Sequence, residues 1–441
     1  MSLRTPESVG KLQAALHAKA KESPDYRFYS LYDKLYREDI LLFAYRVCRS
    51  NGGSAGVDRK TFEEIESAGL DRWLSELAEE LRKKTYRPEA VLRVWIPKAN
   101  GESRPLGIPT IRDRVVQTAA TLVLEPIFEA DLPNEQYAYR HGRSAHDAVR
   151  RIHELINTGH REVIDADLAG YFDSIPHSEL MKSVARRISD GRALRLIKMW
   201  LEAPVEEIDQ RGRSSRTTQA RDMGKGCPQG APISPLLANL YMRRVVLGWK
   251  LLGYADLYGG EVVCYADDLV ICCRRQADQA LAGLQELVKR LQLTLNERKT
   301  RVCLLPEDRF DFLGYTIGRC YSWKTGRAYL GTRPSKKAVR RVVAAISELT
   351  ARQSLQTDVG DRVECLNRLM LGWANYFCLG PVTTTYKAVD RQACRRLRQW
   401  LCRKHKLQGR GTSRFPDKYL YEKLGLVQLR YRTRNLPWAK A

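Results

Sequence analysis

Apolar residues along this chain recur with two different periods, and the period changes at recognisable places. Residues 1–30 are polar and mixed, which predicts a leading helix with a frayed start. Leu31, Leu35, Leu42 and Val47 recur at near-helical spacing among charges, so one amphipathic helix is expected from Leu31 to Arg49. Asn51 to Asp58, rich in glycine, reads as a flexible loop, and a further helix is expected from Leu70 to Lys84. Between Tyr86 and Thr110 the pattern becomes extended. Val91–Pro97 runs to Lys98, a turn follows at Asn100-Gly101, and Arg104–Pro109 returns. Asn-Gly between two extended runs predicts a hairpin that brings Lys98 and Arg104 near each other. Helical spacing resumes from Ile111 to about Phe128, the pattern Tyr139–Ala148 opens another helix, and further helices are expected from Ser178 to about Glu202 and from Gln279 to Leu291. Asp209–Arg216 is polar and reads as an exposed loop or hairpin tip.

Two short apolar runs are interrupted by acids. Val262–Cys273 carries Asp267 and Asp268 side by side in its middle. Neighbouring residues on a strand face opposite ways, so both carboxylates reach one site only at the tip of a hairpin between buried strands. A carboxylate buried without a partner costs several kcal/mol, roughly, and a hard oxygen-loving cation such as Mg²⁺ is the usual compensation. A tight turn with a solvated Asp pair is the competing reading. The stretch from Arg161 to Ile175 opens on a second such strand, ending in acids, Asp165 and Asp167, and running into Gly170-Tyr171-Phe172. Between the two lies Gly226–Tyr241, a Gly/Pro-rich loop opening a helix, where backbone can approach a phosphate or base closely.

In this order the three blocks resemble motifs A, B and C of a reverse transcriptase. Tyr265-Ala266-Asp267-Asp268 matches the YxDD box, and Pro228-Gln229-Gly230 matches the PQG of motif B. Further elements are similar to group II intron-encoded reverse transcriptases and maturases of bacterial type. They are Tyr139–Ser144 (with Tyr139 and His141 where Phe and Pro are usual), Leu293–Thr300 as motif D, Phe310–Tyr315, and Leu371–Phe377. The resemblance implies an α+β right-hand polymerase, with fingers and a small antiparallel palm sheet, followed by an all-α basic thumb or maturase domain. The expected divisions are 1–85 as N-terminal extension, 86–325 as fingers and palm, and 331–441 as thumb and maturase domain. It implies RNA-directed DNA synthesis with two Mg²⁺ ions, Mn²⁺ being a possible substitute, held by Asp167, Asp267 and Asp268. Asp165 is the rival in motif A, and Asp167 is preferred because its spacing to Phe172 matches that from metal ligand to sugar-gating aromatic. Lys98 and Arg104 would clamp the triphosphate, Gln229 would support the nucleotide and template pair, and Lys299 would be a candidate acid for pyrophosphate. Implied partners are dNTPs, an RNA template, a DNA primer or target, and structured intron-like RNA whose splicing and mobility it would assist. Two other readings stay open: a domesticated or CRISPR-associated reverse transcriptase, and an RNA-binding splicing factor with a secondary polymerase role.

Charge adds a second footprint. The chain carries a formal +24, of which +17 falls between Gly331 and Ala441. Such a concentration points to a polyphosphate partner. Within it Arg395, Arg396, Arg398, Arg403 and Lys404 share one expected helix and are the candidate RNA contacts, whereas Trp373, Tyr376 and Phe377 read as core. The 11 cysteines show no C-x-x-C spacing, which indicates neither a zinc site nor a disulfide framework. No apolar run approaches the roughly 20 residues of a membrane span, and no secretory signal is visible. A bacterial cytoplasmic protein without membrane partners is expected. His405 is the only histidine after His177, so an H-N-H endonuclease domain is not expected in these residues.

Overall fold

The computed structural model describes residues 3–97, 103–209, 212–322 and 325–435. It begins with helices α1 (Glu7–Glu22), α2 (Tyr32–Leu35), α3 (Glu38–Asn51), α4 (Phe62–Ser67) and α5 (Leu70–Lys83). The single helix expected from Leu31 to Arg49 is therefore two. Arg37 is extended between them and pairs with Asp39 at 2.7 Å. The Leu31 and Tyr32 N–H groups both donate to the Asp190 carboxylate at 2.8 Å, so α2 starts on a distant acceptor. Glu38 and Asp39 lie in the first turn of α3, where negative charge offsets its unpaired N–H groups. The Gly-rich loop after α3 is anchored, not free. Arg114 donates to the carbonyls of Gly52 and Ser54, and a Cβ at Gly56 would stand 2.7 Å from the Thr110 backbone.

Strands β1 (Val91–Pro97) and β2 (Ser103–Ile108) pair antiparallel, with Ile96 opposite Arg104. The turn between them, with Lys98, Asn100 and Gly101, lies outside the described residues. Helix α6 (Ile111–Glu129) follows, then α7 (Ala145–Asn157), which opens on a reciprocal cap between Ser144 and Asp147. Next come β3 (Glu162–Asp167), α8 (Tyr171–Ser174), α9 (His177–Ala185) and α10 (Gly191–Leu201). The helical run expected from Ser178 to Glu202 is thus also split, because Asp190 leaves the helix to cap α10 through Arg192 and Ala193. The polar insertion follows β4 (Val205–Ile208) and ends inside β5 (Ser214–Thr217), and these two antiparallel strands extend the first sheet to the order β2-β1-β4-β5.

Helices α11 (Gln219–Met223), α12 (Ser234–Leu251) and α13 (Tyr254–Tyr258) lead to the hairpin β6 (Glu261–Tyr265) and β7 (Asp268–Cys273), then α14 (Ala277–Arg290) and β8 (Arg301–Leu304). The central sheet has the order β6-β7-β3-β8, with all neighbours antiparallel. Both of its faces are buried. Ile164, Ala166, Leu269 and Ile271 pack toward the helices before and after it, whereas Val163, Val263, Val270 and Cys272 pack with α7 and the strands that follow. That accounts for apolar runs unbroken except at the acids.

A three-stranded sheet, β9 (Arg309–Phe312), β10 (Tyr315–Tyr321) and β11 (Ala328–Pro334), covers the second face. From Ser335 onward the described residues are helical or irregular: α15 (Lys336–Leu349), α16 (Val359–Tyr376) and α17 (Thr383–Lys404) close their own core around Leu366, Leu397 and Trp400. This unit is seated through the end of α16. The Tyr376 carbonyl accepts from His146 Nε2 at 2.6 Å and from the Tyr315 hydroxyl, and Phe377 is buried against Tyr315. Among the described residues no helix is long and apolar enough to cross a membrane.

Candidate active site

The acids meet at one end of the central sheet. Asp167, the last residue of β3, lies directly opposite Asp268, the first of β7. Tyr265 pairs with Asp268, so Ala266 and Asp267 form a two-residue turn, and Ala266 takes the positive φ of 58° that such tight hairpins require. The loop after α14 fixes Asp167 from the side. Asn296 N–H donates to its carbonyl at 2.7 Å, and its own N–H donates to Thr300 Oγ1 at 3.3 Å. A small cavity of about 200 Å³ is lined by Asp165, Asp167, Asp268, Lys299 and Asp311.

The electrostatics of this end are unbalanced toward negative charge. Burial pushes the Asp268 carboxyl up to about 6, and the charges of Asp267, Asp167 and Asp165 push it the same way against a smaller opposing effect of Lys299. Lys299 Nζ stands 3.3 Å from Asp167. Asp165, two residues back along β3, instead pairs with Arg301 at 3.4 Å, and burial also raises its carboxyl. Among the described residues no three ligating side chains close around a point by themselves. The donor set nevertheless fits a hard divalent cation. It offers only carboxylate oxygens short of positive charge, and Mg²⁺ is commonly held by one or two carboxylates together with water and substrate phosphates.

Beside the acids a larger cavity, of about 740 Å³, reaches under β1 and β2. Its lining includes Ile96, Arg104, Tyr139, Phe172, Gln229 and Gly230. Phe172 is carried there by the left-handed turn at Gly170 and keeps 8% of its surface exposed. Gln229 accepts from Arg104 Nε at 2.8 Å and donates to Asp173 at 3.2 Å, while its carbonyl accepts from the Gly107 N–H at 2.6 Å. Gly230 is required at this contact, since its φ is +107° and a Cβ there would stand 2.4 Å from the Gly107 carbonyl oxygen. Arg104, Phe172 and Gln229 therefore line one cavity, and Lys98 lies outside the described residues.

Two functional candidates were not singled out by sequence. Tyr139 is half exposed, holds a positive φ of 56° and lines the same cavity. Its phenol is pushed upward first by burial and then by the charge of Asp267. The only signal was a tyrosine where related proteins have phenylalanine. Asp173, which orients Gln229, directly follows Phe172 and carried no signal of its own.

The five candidate cations of α17 divide. Arg396 donates to Thr350 Oγ1 at 3.0 Å and to the Ser347 carbonyl at 2.8 Å, closing the end of α15. Arg398 donates to the Phe415 carbonyl and pairs with Asp417, and Lys404 donates to the carbonyls of Leu355 and Thr357, both at 2.9 Å. These three hold the helical unit together. Arg395 and Arg403 are exposed, and Arg395 joins Lys387 and Arg391 in a stripe at four-residue spacing.

Known proteins can be set beside this arrangement. Residues 96–317 match the family described as Reverse transcriptase (RNA-dependent DNA polymerase), and residues 339–419 match Group II intron, maturase-specific domain. The chain is 32% identical to Protein YkfC of Escherichia coli over 378 residues, covering 77% of this chain and 96% of that protein. It is 31% identical to Group II intron-encoded protein LtrA of Lactococcus lactis subsp. cremoris over 227 residues, 51% of this chain and 36% of the relative. Nuclear intron maturase 2, mitochondrial, of Arabidopsis thaliana is 29% identical over 114 residues, 26% of this chain and 15% of its own. The chain thus spans nearly all of the first relative and well under half of the other two.

Proposed function

Because the chain belongs to the reverse transcriptase family, with a group II intron maturase domain behind it, we propose that it adds deoxynucleotides to a primer at the acidic end of its central sheet. It is an RNA-directed DNA polymerase of the group II intron type. In this reading residues 1–85 are an N-terminal extension. Residues 86–325 form fingers and palm, with the central sheet as palm, and 331–441 form the thumb and maturase unit. The observation that carries the reading is Asp167 facing Asp268, with Asp267 in the adjoining turn, beside a cavity that holds Phe172.

Asp167, Asp267 and Asp268 would hold two Mg²⁺ ions, replaceable by Mn²⁺, which when bound activate the primer 3′-oxygen and stabilise charge on the departing pyrophosphate. The chain's own residues do the positioning. Phe172 sets its ring where a ribose 2′-hydroxyl would fall, which selects deoxynucleotides. Gln229, held between Arg104 and Asp173, supports the nucleotide and template pair, and Arg104 is the described residue of the pair assigned to the triphosphate, Lys98 lying outside the described residues. Lys299, whose Nζ stands 3.3 Å from Asp167, is the candidate acid for the leaving pyrophosphate. The basic C-terminal unit would bind structured intron-like RNA and assist its splicing and mobility.

Primer extension on an RNA template, with and without Mg²⁺, tests the reading. Asp167→Asn and Asp267→Asn should each lower extension by more than about a hundredfold while RNA affinity stays within a few-fold. Asp165→Asn, whose partner is Arg301, should be far milder. Near-normal extension by either of the first two would remove the assignment, and a dead Asp165 variant beside a live Asp167 variant would move it by two residues.

A further inference from the structure

The turn between β9 and β10 holds a residue that its shape disfavours. Phe312 pairs with Tyr315 across the two antiparallel strands, so Leu313 and Gly314 form a two-residue connection, and both take positive φ, 48° and 81°. A hairpin turn with two left-handed central residues favours Asn, Asp or Gly at the first of them and Gly at the second. Gly314 meets that demand and Leu313 does not. A bulky side chain is rare in this region, and such backbone persists only where its surroundings over-determine it.

What holds it comes from the C-terminal helical unit. The Tyr376 hydroxyl, at the end of α16, donates to the Leu313 carbonyl at 2.9 Å. The Ser335 N–H, at the N-cap of α15, donates to the Gly314 carbonyl at 2.9 Å. The Phe377 ring closes over Gly314, where a Cβ would stand 3.1 Å from it. Burial raises the Tyr376 phenol, and Tyr265 and Asp268 push it the same way, so it stays protonated and donates.

The same turn borders the acids. Asp311, Phe312 and Leu313 line the cavity of about 200 Å³ together with Asp165, Asp167, Asp268 and Lys299. Tyr265, which pairs with Asp268, packs against the same core cluster as Leu313 and Tyr376. One hydroxyl of the helical unit thus reaches the rim of the acidic site through a single backbone carbonyl. Reaction there demands a near-attack geometry, and a misplacement of about 1 Å started far from the chemistry costs up to about a hundredfold. A turn that needs an outside hydrogen bond to keep its shape is where such a misplacement begins once the bond is lost.

We propose that Tyr376 is a positioning residue for nucleotide addition, its hydroxyl holding Leu313 in the left-handed turn that borders the acids, so that the C-terminal unit sets how fast a bound primer end is extended. The assignment rests on the polymerase reading for the reaction it names. Its test is single-turnover addition of one deoxynucleotide to a primer on an RNA template, with hydrogen exchange over residues 309–316 measured on the same full-length proteins. Tyr376→Phe keeps the ring and leaves the Tyr376 carbonyl to its donors His146 and Tyr315, so the helical unit stays seated. It should lower the maximal rate about fivefold, keep the nucleotide concentration for half-maximal rate within about twofold, and speed exchange over those residues several-fold. Leu313→Gly removes the backbone penalty, so adding Tyr376→Phe to it should lower the rate by less than about twofold and leave exchange nearly unmoved. Leu313→Asn, which also tolerates the left-handed region, makes the same comparison if the Gly variant does not fold. An unchanged rate with unchanged exchange in Y376F would overturn the assignment. So would equal losses in the wild-type and L313G backgrounds, since the hydroxyl would then act by another route. A loss confined to the half-maximal concentration would overturn it too, because Tyr376 would then serve binding. If the wild-type protein adds no nucleotide, the polymerase reading fails, and the exchange comparison still decides whether the hydroxyl holds the turn.

Discussion

Phe172 and Tyr139 are two rings on one cavity wall, and their chemistry separates their roles. Phe172 is nearly buried and has no polar atom, so it can act only by shape. Phe172→Ala should raise the use of ribonucleotides relative to deoxynucleotides by at least about tenfold, a scale set by the asymmetry of pockets that reject a hydroxyl sterically. Competing incorporation of the two nucleotide types reads this out, and an unmoved ratio would place the ring in the core instead of under the sugar. Tyr139 brings a hydroxyl near Asp267 from a backbone conformation that costs about 1–3 kcal/mol for a residue other than glycine. Tyr139→Phe keeps the ring and should leave the nucleotide KM within a few-fold, whereas Tyr139→Ala should raise it about tenfold if stacking area is what the ring contributes. Equal loss in both variants would assign the role to the hydroxyl.

Elements were legible in the sequence wherever chemistry and period coincided. The acids stood out in β3 and in the β6–β7 hairpin because each interrupts an apolar run, and the pattern Tyr139–Ala148 announced the helix α7, which begins at Ala145. The two misjudged helices have different causes. Arg37 is extended between α2 and α3, a break that apolar spacing alone runs through. The break before α10 is local: Asp190 leaves the helix and caps α10 through the N–H groups of Arg192 and Ala193, a signal that spacing also passes over. What no local pattern shows is that the same carboxylate receives the N–H groups of Leu31 and Tyr32, some 160 residues away. The α17 cations divide for a reason of the same kind. Spacing tells which arginines share a side, but not that the carbonyls of Ser347, Leu355 and Phe415 come within reach of Arg396, Lys404 and Arg398. The test of electrostatic RNA binding therefore belongs to the exposed stripe. Neutralising Lys387, Arg391 and Arg395 together should lower the salt slope for structured RNA by about two units without loss of melting temperature. Arg396→Gln should leave the slope and cost about 1–3 kcal/mol of stability, because it uncovers the last carbonyls of α15. Chemical denaturation and the salt series together distinguish the two.

At the scale of the molecule, the β2-β1-β4-β5 sheet meets the loop before α12 at a backbone contact, Gly107 N–H to the Gln229 carbonyl, with Gly230 directly over it. Gly230→Ala has no space and an unfavourable φ, so the two parts must separate. Nucleotide KM should rise and the melting temperature should fall, and a fully active, equally stable G230A protein would contradict the contact.

The two-sided burial of the central sheet has a consequence for which genetic lesions this chain survives. Val163 and Ile164 belong to different cores, as do Val270 and Ile271. Conservative exchanges among such residues preserve volume on each side and are absorbed. Loss of one codon inside β3 is different in kind, because every residue beyond it changes sides, and Asp167 is carried out of line with Asp268 while both cores lose their fit. Over these strands the gene should tolerate spelling changes and reject changes of length, and a library of single-codon deletions scored for primer extension would show a gap from Glu162 to Asp167 and from Asp268 to Cys273.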